Sequence, residues 1–333
     1  MSTLLVEVTR GPMVENRHYG SIVVVDQDGR TVARAGQGGI TYMRSSSKPL
    51  MMIPLVENGG MEKFNFTEEN LAIFTSSHTG EEEHRHWVLD SIQKIGLEET
   101  MLACGTHRPF DRKTAEALLK AGEKPTLLHC NCSGKHTGVL AYCLLQGYPL
   151  ENYVSSEHPA EKDILAAVAS LAELRPEEVI IGVDGCGIPV YGMPLENIAY
   201  AFGRFGLASS GSERRKKACA RIVKAMVNHP FLVAGTGRLD SDLMTVTKGA
   251  IVAKIGADGV YALAAPEKGW GMAVKVADGN MNALGPIVLE ALSQLGLLTA
   301  EQREALAHHD TKIIKNNLRD KVGEMRAAFT LES

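Results

Sequence analysis

A serine and a lysine stand three positions apart in the segment Met43–Lys48, at the start of an apolar run that predicts a helix. Residues at this spacing share one helical face, so the Ser45 hydroxyl and the Lys48 amine are expected within hydrogen-bonding reach. A serine attacks poorly unless a base takes its proton, and lysine can do so only when burial or a cation such as Arg44 lowers its pKa. The spacing predicts a nucleophile and its base, although consecutive serines before a helix are also typical of helix caps.

A second lysine that could take part in catalysis is Lys254, in the segment Lys254-Ile255-Gly256 on a predicted strand. This order of motifs resembles that of serine β-lactamases, penicillin-binding proteins and serine-dependent glutaminases, in which a Ser-x-x-Lys helix faces a strand carrying Lys-x-Gly. An exposed strand lysine before a turn glycine is the alternative interpretation. The chain has no Ser-Asp-Asn motif and no glutamate obviously placed as a deacylating base.

Three loops carry further reactive side chains. Ser77 lies in a loop before a charged helix, where a hydroxyl and backbone N–H groups can meet an anion, unless the loop simply caps that helix. The segment His129–Gly138 holds Cys132, Lys135 and His136, and its Gly-Lys pair lacks the Walker spacing of a nucleotide-binding loop. The glycine-rich segment Ile181–Pro189 presents Asp184 and Cys186. The two thiols lie in no Cys-x-x-Cys motif, so spacing alone implies no structural zinc site.

The composition is that of an ordinary globular enzyme. The 333 residues are 44% hydrophobic, include 33 glycines and carry a formal net charge of −4, which provides no basic surface for nucleic acid. No stretch approaches the length of a membrane span, and six cysteines are too few for a disulfide scaffold. We therefore expect a soluble cytoplasmic protein with reduced or metal-bound thiols and a small ligand.

The hydrophobic pattern predicts an α+β fold. Strand-like segments occur before residue 36 and again over 250–276, whereas helical patterns dominate between residues 60 and 230. An Asp-Gly pair at Asp28 predicts a hairpin, and the second strand group predicts a three-stranded meander. We expect one antiparallel sheet from N- and C-terminal strands, flanked by helices, with residues 1–44 and 235–333 in one lobe and 45–234 in a mainly helical lobe. The tail after His309 is expected to be lightly structured.

Five segments taken together resemble the signature segments of the rhizobial-type, thermolabile L-asparaginases, over about residues 6–289. These segments are Arg44-Ser45-x-x-Lys48, Ser77–Glu81, Cys132–His136, Asp184–Pro189 and Ala234–Arg238. The resemblance implies a serine β-lactamase/glutaminase-like fold, a homodimer, and hydrolysis of L-asparagine to L-aspartate and ammonia.

The resemblance also assigns roles to individual residues. It implies two Ser–Lys pairs, Ser45 with Lys48 and Ser77 with Lys254. It further implies a Zn²⁺ ion held by two cysteines and an unprotonated lysine, the matching positions being Cys132, Lys135 and Cys186. The residues expected beside the substrate are Arg44, Lys135, His136 and Asp184.

The predicted mechanism is attack of a serine on the side-chain amide, with a neutral lysine taking the proton and an aspartyl ester as intermediate. By analogy with Ser-x-x-Lys acyl enzymes we favour Ser45 over Ser77. A serine-dependent glutaminase or another small amidase is the nearest alternative, because one methylene separates the substrates. A penicillin-recognising enzyme and a zinc- or amino-acid-binding sensor without chemistry remain as further alternatives.

Overall fold

The N-terminal sequence forms strands because its apolar residues alternate or run together with β-branched types. Our computed structural model describes residues 2–333, and within them the strands are β1 Thr3–Arg10, β2 Met13–Val25, β3 Thr31–Ala35, β4 Ile40–Tyr42, β5 Ile180–Val183, β6 Pro189–Pro194, β7 Val252–Gly256, β8 Val260–Ala265, β9 Trp270–Val276, β10 Lys312–Lys315 and β11 Lys321–Ala327.

Most of the helices lie between β4 and β7, and the last two follow β9. They are α1 Lys48–Met51, α2 Ile53–Glu57, α3 Gly60–Lys63, α4 Glu68–Phe74, α5 Glu82–Lys94, α6 Arg112–Ala121, α7 Ser133–Gln146, α8 Pro159–Ala172, α9 Leu195–Gly206, α10 Glu213–Asn228, α11 Pro230–Val233, α12 Leu239–Val246, α13 Leu284–Gln294 and α14 Ala300–Ala305. None of these helices is both long and apolar enough to cross a bilayer.

The larger sheet is antiparallel and joins strands from both ends of the chain. Its order is β10-β11-β1-β2-β9-β8-β7, with β3 also paired to β2. Ile22 of β2 pairs with both Val274 of β9 and Ala35 of β3, so the run of valines in β2 is buried in the middle of the sheet. The predicted hairpin turns at Gly29, whose φ of 78° suits glycine. The α+β class and the shared N- and C-terminal sheet are confirmed.

The tail after His309 is the clearest error of the sequence analysis. Residues 312–315 and 321–327 form β10 and β11, and β11 pairs with β1 through Val6↔Ala327 and Val8↔Met325. The tail sequence is polar because β10 and β11 lie at the sheet edge, where much of the surface faces solvent. Weak apolar patterning therefore concealed two real strands.

The chain divides into two compact units. The sheet unit contains residues up to Ser46, Met193–Arg204 and Asp242–Ser333, and the helical unit contains Ser47–Gly192 and Phe205–Ser241. The division into lobes expected from the sequence, residues 1–44 with 235–333 and residues 45–234, stays a prediction. The compact units differ from them chiefly by placing Met193–Arg204 with the sheet.

The helical unit is built around α7, which is buried from Ser133 to Cys143. Two glycines one helical turn apart allow this close packing. A Cβ at Gly134 would lie 2.1 Å from the carbonyl oxygen of Ile73 on α4, and a Cβ at Gly138 would lie 2.5 Å from the sulfur of Met52. The first turn of α7 carries Lys135 and His136, so this packing fixes the position of two predicted site residues.

Candidate active site

Lys48 is buried, with 1% of its surface exposed, and begins α1. Its Nζ donates to the Ser77 hydroxyl at 3.0 Å, to the Ser76 carbonyl at 2.6 Å and to the Asn131 carbonyl at 3.3 Å. The apolar segment that begins at Lys48 is divided at Met52 into α1 and α2, and Pro54 lies in the first turn of α2. The structure therefore places the Lys48 amine against Ser77, a hydroxyl from a different loop.

Ser77 lies in the loop that follows α4, and its backbone N–H donates to the Val233 carbonyl at 2.9 Å. The next residue, His78, is fully buried, and its Nδ1 accepts from the Gly80 N–H. Its Nε2 therefore carries the proton and donates to the Ser133 hydroxyl at 2.9 Å. Burial holds the pKa of His78 well below its usual value, with further lowering from the nearby cationic groups. This neutral imidazole ties the Ser77 loop to the start of α7.

Ser45 and Lys254 belong to the sheet unit. Ser45 is buried in a 3₁₀ turn over Arg44–Ser47, so the Ser-x-x-Lys segment is not one continuous α-helix as expected. Lys254 is fully buried on β7. The end of β7 lies close to the Ser45 turn, because a Cβ at Gly256 would approach the Met43 carbonyl oxygen to 2.6 Å.

Arg44 has an unusual backbone conformation for a residue other than glycine. Its φ is 51°, and its guanidinium is paired with the Asp258 carboxylate at the turn between β7 and β8. A left-handed arginine costs of order 1 kcal/mol and persists only where the surroundings hold it. The structure thus holds the residue immediately before Ser45 in one strained arrangement.

Cys132, Lys135 and Cys186 come together in the helical unit. Cys132 occupies the position before α7, Lys135 lies on the first turn of that helix, and the Lys135 Nζ lies 2.9 Å from the Cys186 sulfur. Burial lowers the pKa of Lys135, but the Cys186 and Cys132 sulfurs outweigh it and raise that pKa. The pKa of Cys186 is raised as well, chiefly by its hydrogen bond to Cys132. Both shifts favour protonated groups, and a bound cation would have to displace those protons.

His136 supplies an observation on whether these donors suit a metal. Its Nδ1 accepts from the Tyr153 hydroxyl at 2.7 Å, since that hydroxyl itself accepts from the Ala103 N–H. Its Nε2 is buried without a hydrogen bond of ordinary geometry, although Cys186 acts on the ring electrostatically. Burial lowers the pKa of His136 to about 4. Two sulfurs and one amine are donors that fit Zn²⁺, and the His136 Nε2 becomes a further donor when the ring proton moves to Nδ1 and is donated to the Tyr153 hydroxyl.

Asp184 lies in the five-residue turn between β5 and β6. Its N–H donates to the Ile188 carbonyl at 2.9 Å, its carbonyl accepts from Gly187, and its carboxylate accepts from the Gly185 N–H at 2.9 Å. Its side chain is half-buried and acts electrostatically on Lys135. The turn therefore presents an acid close to the amine and the thiols.

A depression of about 660 Å³ is lined in part by this turn. Its lining comes from residues 152–156 and 181–189, with Ser155, Val183 and Gly187 among them. Lys48 and Ser77 do not line it, so the geometry around the Ser–Lys pair, and not this depression, identifies the candidate site.

Two functional contacts were not foreseen. Asn131 accepts from Lys48 through its carbonyl and lies 3.4 Å from the Cys132 sulfur through its side chain, and only its place in a dense reactive segment signalled it. Glu161 is buried on α8, where the Tyr191 hydroxyl donates to it at 3.1 Å and burial raises its pKa to about 8. Its signal was a charged residue in phase with the apolar positions Ile164 and Val168.

A buried lysine amine in contact with a serine hydroxyl is the arrangement found in hydrolases that act through an acylated serine. Comparison with known families agrees with that class. The profile of the L-asparaginase II family matches residues 6–327, and the chain belongs to this family.

Solved structures with a similar course of the chain have low identity to it. Native Mglu in 4.3 M NaCl is 14% identical with a TM-score of 0.47, covering 84% of this chain and 61% of that one. A Bacillus subtilis glutaminase in covalent complex with 5-oxo-L-norleucine is 12% identical with a TM-score of 0.35, covering 84% and 89%. A Mycobacterium bovis β-lactamase is 12% identical with a TM-score of 0.25, covering 87% and 94%.

The chain thus spans about three fifths of the length of the Mglu structure. At these scores the likeness carries no argument about activity. The curated proteins provide no match to the chain.

Proposed function

We propose that the protein is an L-asparaginase that hydrolyses L-asparagine to L-aspartate and ammonia through an acylated serine. The observation that carries the proposal is the buried contact of 3.0 Å between the Lys48 amine and the Ser77 hydroxyl. It occurs in a chain that belongs to the L-asparaginase II family. The catalytic set of the proposal is Ser45, Lys48, Ser77 and Lys254.

The reaction begins when a serine oxygen attacks the side-chain amide carbon. In its neutral form Lys48 donates only to the Ser76 and Asn131 carbonyls, and its lone pair takes the serine proton. The tetrahedral intermediate then collapses, the C–N bond breaks, and the protonated amine gives that proton to the departing ammonia. Water attacks the resulting aspartyl ester, Lys48 takes a proton from it, and the serine oxygen leaves and is reprotonated. The Ser77 N–H already donates to Val233, so other N–H groups must stabilise the oxyanion.

The choice between the two serines is open to direct experiment. The Ser-x-x-Lys resemblance favours Ser45, whereas the hydrogen bond to Lys48 supports Ser77. In a rapid-quench experiment with asparagine, the nucleophile is the residue that gains the mass of one aspartyl group. We expect Ser45→Ala and Ser77→Ala both to reduce turnover, and only one of them to abolish the acylated peptide. Labelling of neither serine would overturn the covalent mechanism.

The proposal assigns substrate recognition to charged side chains. Asp184 suits the α-ammonium group of an amino acid, and Arg44 suits its α-carboxylate, which would compete with Asp258. Lys135 and His136 complete the proposed substrate set.

We further propose that Cys132, Lys135 and Cys186 hold a Zn²⁺ ion. Bound there, the ion would supply positive charge that orients the substrate and the loops. The chain's own part is to bring two thiols and one amine together in a buried position, with Lys135 held by α7. We expect Cys186→Ser to reduce the zinc content measured by mass spectrometry of the metal.

An ammonia-release assay on asparagine and glutamine, with and without a chelator, tests the activity. We expect turnover of asparagine and a much lower rate with glutamine, because the site must place an amide one methylene nearer to the α-carbon. A higher rate with glutamine would replace the proposal by a glutaminase, and no ammonia from either would favour a binding protein. A homodimer and a cytoplasmic location also belong to the proposal; the six free cysteines accord with a reducing compartment.

A further inference from the structure

Three metal-ligating atoms converge in the sheet unit, in residues that the proposed reaction does not use. The Asp242 Oδ2 lies 2.9 Å from the His308 Nε2 and 2.7 Å from the His309 Nε2. All three atoms lie within 4.8 Å of one another. The two imidazole rings lie side by side, with centroids 4.1 Å apart and planes tilted by 43°, so both Nε2 atoms face the same carboxylate.

The separations suit either shared protons or a shared metal ion. A metal at about 2.0–2.2 Å from nitrogen and oxygen donors separates those donors by roughly 3.0–3.5 Å. The observed contacts are shorter by only a few tenths of an ångström, a change that side-chain rotation accommodates. Two imidazoles and one carboxylate favour first-row transition metals, whereas Mg²⁺ and Ca²⁺ prefer sites made of oxygen alone.

Neighbouring groups hold the backbone of His309 in place. The His309 N–H donates to the Leu306 carbonyl at 2.8 Å, and a Cβ at Gly285 on α13 would lie 2.1 Å from the His309 carbonyl oxygen. Arg303 pairs with Asp310 and with Glu290, each at 2.8 Å. The turn after α14 is therefore fixed against α13 before any ion binds, which reduces the entropy lost on binding.

We propose that Asp242, His308 and His309 form a second, non-catalytic site for one divalent transition-metal ion, with Zn²⁺ as the first candidate. The exposed fractions of the three side chains are 28%, 55% and 14%, respectively, so solvent can deliver the ion and complete its coordination with water. The ion joins α12 to the turn after α14. The ion stabilises the folded state because it binds that state and not the unfolded chain. The stabilised segment includes α12, which precedes β7 and its Lys254.

Metal stoichiometry tests the proposal independently of catalysis. Equilibrium dialysis against Zn²⁺, with the metal counted by mass spectrometry, is applied to wild type, Asp242→Asn, His309→Gln and the control His86→Gln. His86 is exposed on α5. We expect the first two variants to bind one equivalent fewer than wild type and the control. Equal stoichiometry in all four proteins, with unchanged circular dichroism, would overturn the site.

Two further measurements cover the remaining outcomes. In the Cys186→Ser background this equivalent should persist, which separates the site from the zinc site proposed at Cys132, Lys135 and Cys186. If Asp242→Asn does not fold, the exposed His308→Gln replaces it, and we expect its Zn²⁺ affinity to fall at least about tenfold. The Zn²⁺-dependent rise in melting temperature should be absent from the variants that lose this equivalent of bound Zn²⁺. An equal rise with Mg²⁺ would contradict a transition-metal site.

Discussion

The Lys48 amine is positioned largely by backbone carbonyl groups, which every residue type has. Two of its three acceptors are the carbonyls of Ser76 and Asn131, and only the third is the Ser77 hydroxyl. The carbonyls fix the amine where the hydroxyl can reach it. Pairing with the side chain three residues earlier in the same segment was the natural expectation from spacing, and carbonyl acceptors from other loops are invisible to such an argument.

Replacing Lys48 by methionine should lower kcat for asparagine by about 10²–10⁴, the usual contribution of a positioned general base. Methionine fills a similar volume, so the buried position stays packed. The exposed Lys124→Met is the matched control and should retain wild-type turnover. A Lys48→Met enzyme with wild-type kcat would exclude this lysine as the base.

The buried histidines should make stability depend on pH. Burial lowers the pKa of both His78 and His84, so the folded protein keeps them neutral while the unfolded chain protonates them below about pH 6.5. The unfolded state then binds more protons, and stability falls as pH drops from about 6.5 to 5.5, by up to about 1.4 kcal/mol per pH unit for each histidine.

Urea unfolding at several pH values measures this slope. His84→Gln keeps a donor for the Phe231 carbonyl and removes one titrating group, so its slope should be shallower than that of wild type. The exposed His86→Gln should keep the wild-type slope. A stability that is flat between pH 6.5 and 5.5 in wild type would show that neither histidine stays neutral in the folded protein.

At the scale of elements, α7 depends on glycine where it crosses its neighbours. Gly134→Ala would place a Cβ 2.1 Å from a backbone oxygen, whereas Gly138→Ala would meet the flexible side chain of Met52. The first variant should lose several kcal/mol of stability because backbone must move, and the second about 1–3 kcal/mol. Thermal unfolding with circular dichroism compares the two. A Gly138→Ala protein less stable than Gly134→Ala would contradict this account of the packing.

Elements with strong local patterns could be predicted, and elements stabilised only by distant partners could not. The pair Asp28-Gly29 predicted the β2–β3 hairpin. Runs of β-branched residues separated by turn residues predicted the meander β7–β9. The second strand of the β5–β6 hairpin could not be predicted, because it contains two prolines and a glycine. The site loops were found by composition, but their contacts with Lys48 depend on helix packing that one sequence does not specify.

At the scale of the whole molecule, the C-terminal strands complete the sheet begun by the N-terminus. β11 covers the free side of β1, where Val6 and Val8 are buried. The fit is close, because a Cβ at Gly323 would lie 1.9 Å from the Thr9 carbonyl oxygen. The polar tail is therefore part of the core sheet and not an appendage.

Deleting residues 311–333 should lower the melting temperature and promote aggregation, because β1 becomes an unpaired edge with exposed N–H and C=O groups. The deletion leaves Asp310 and the metal-ligating histidines in place, and besides β10 and β11 it removes the bridge between Glu332 and Arg34 of β3. Gly323→Ala separates loss of pairing from loss of chain length, since it forces β11 from β1 within a full-length protein; it should shift the melting temperature in the same direction by a smaller amount. Light scattering during a thermal ramp measures both effects. A truncated chain that stays monodisperse and has the wild-type melting temperature would contradict this account. Pairing of β1 with β2 alone would then have to stabilise this edge of the sheet.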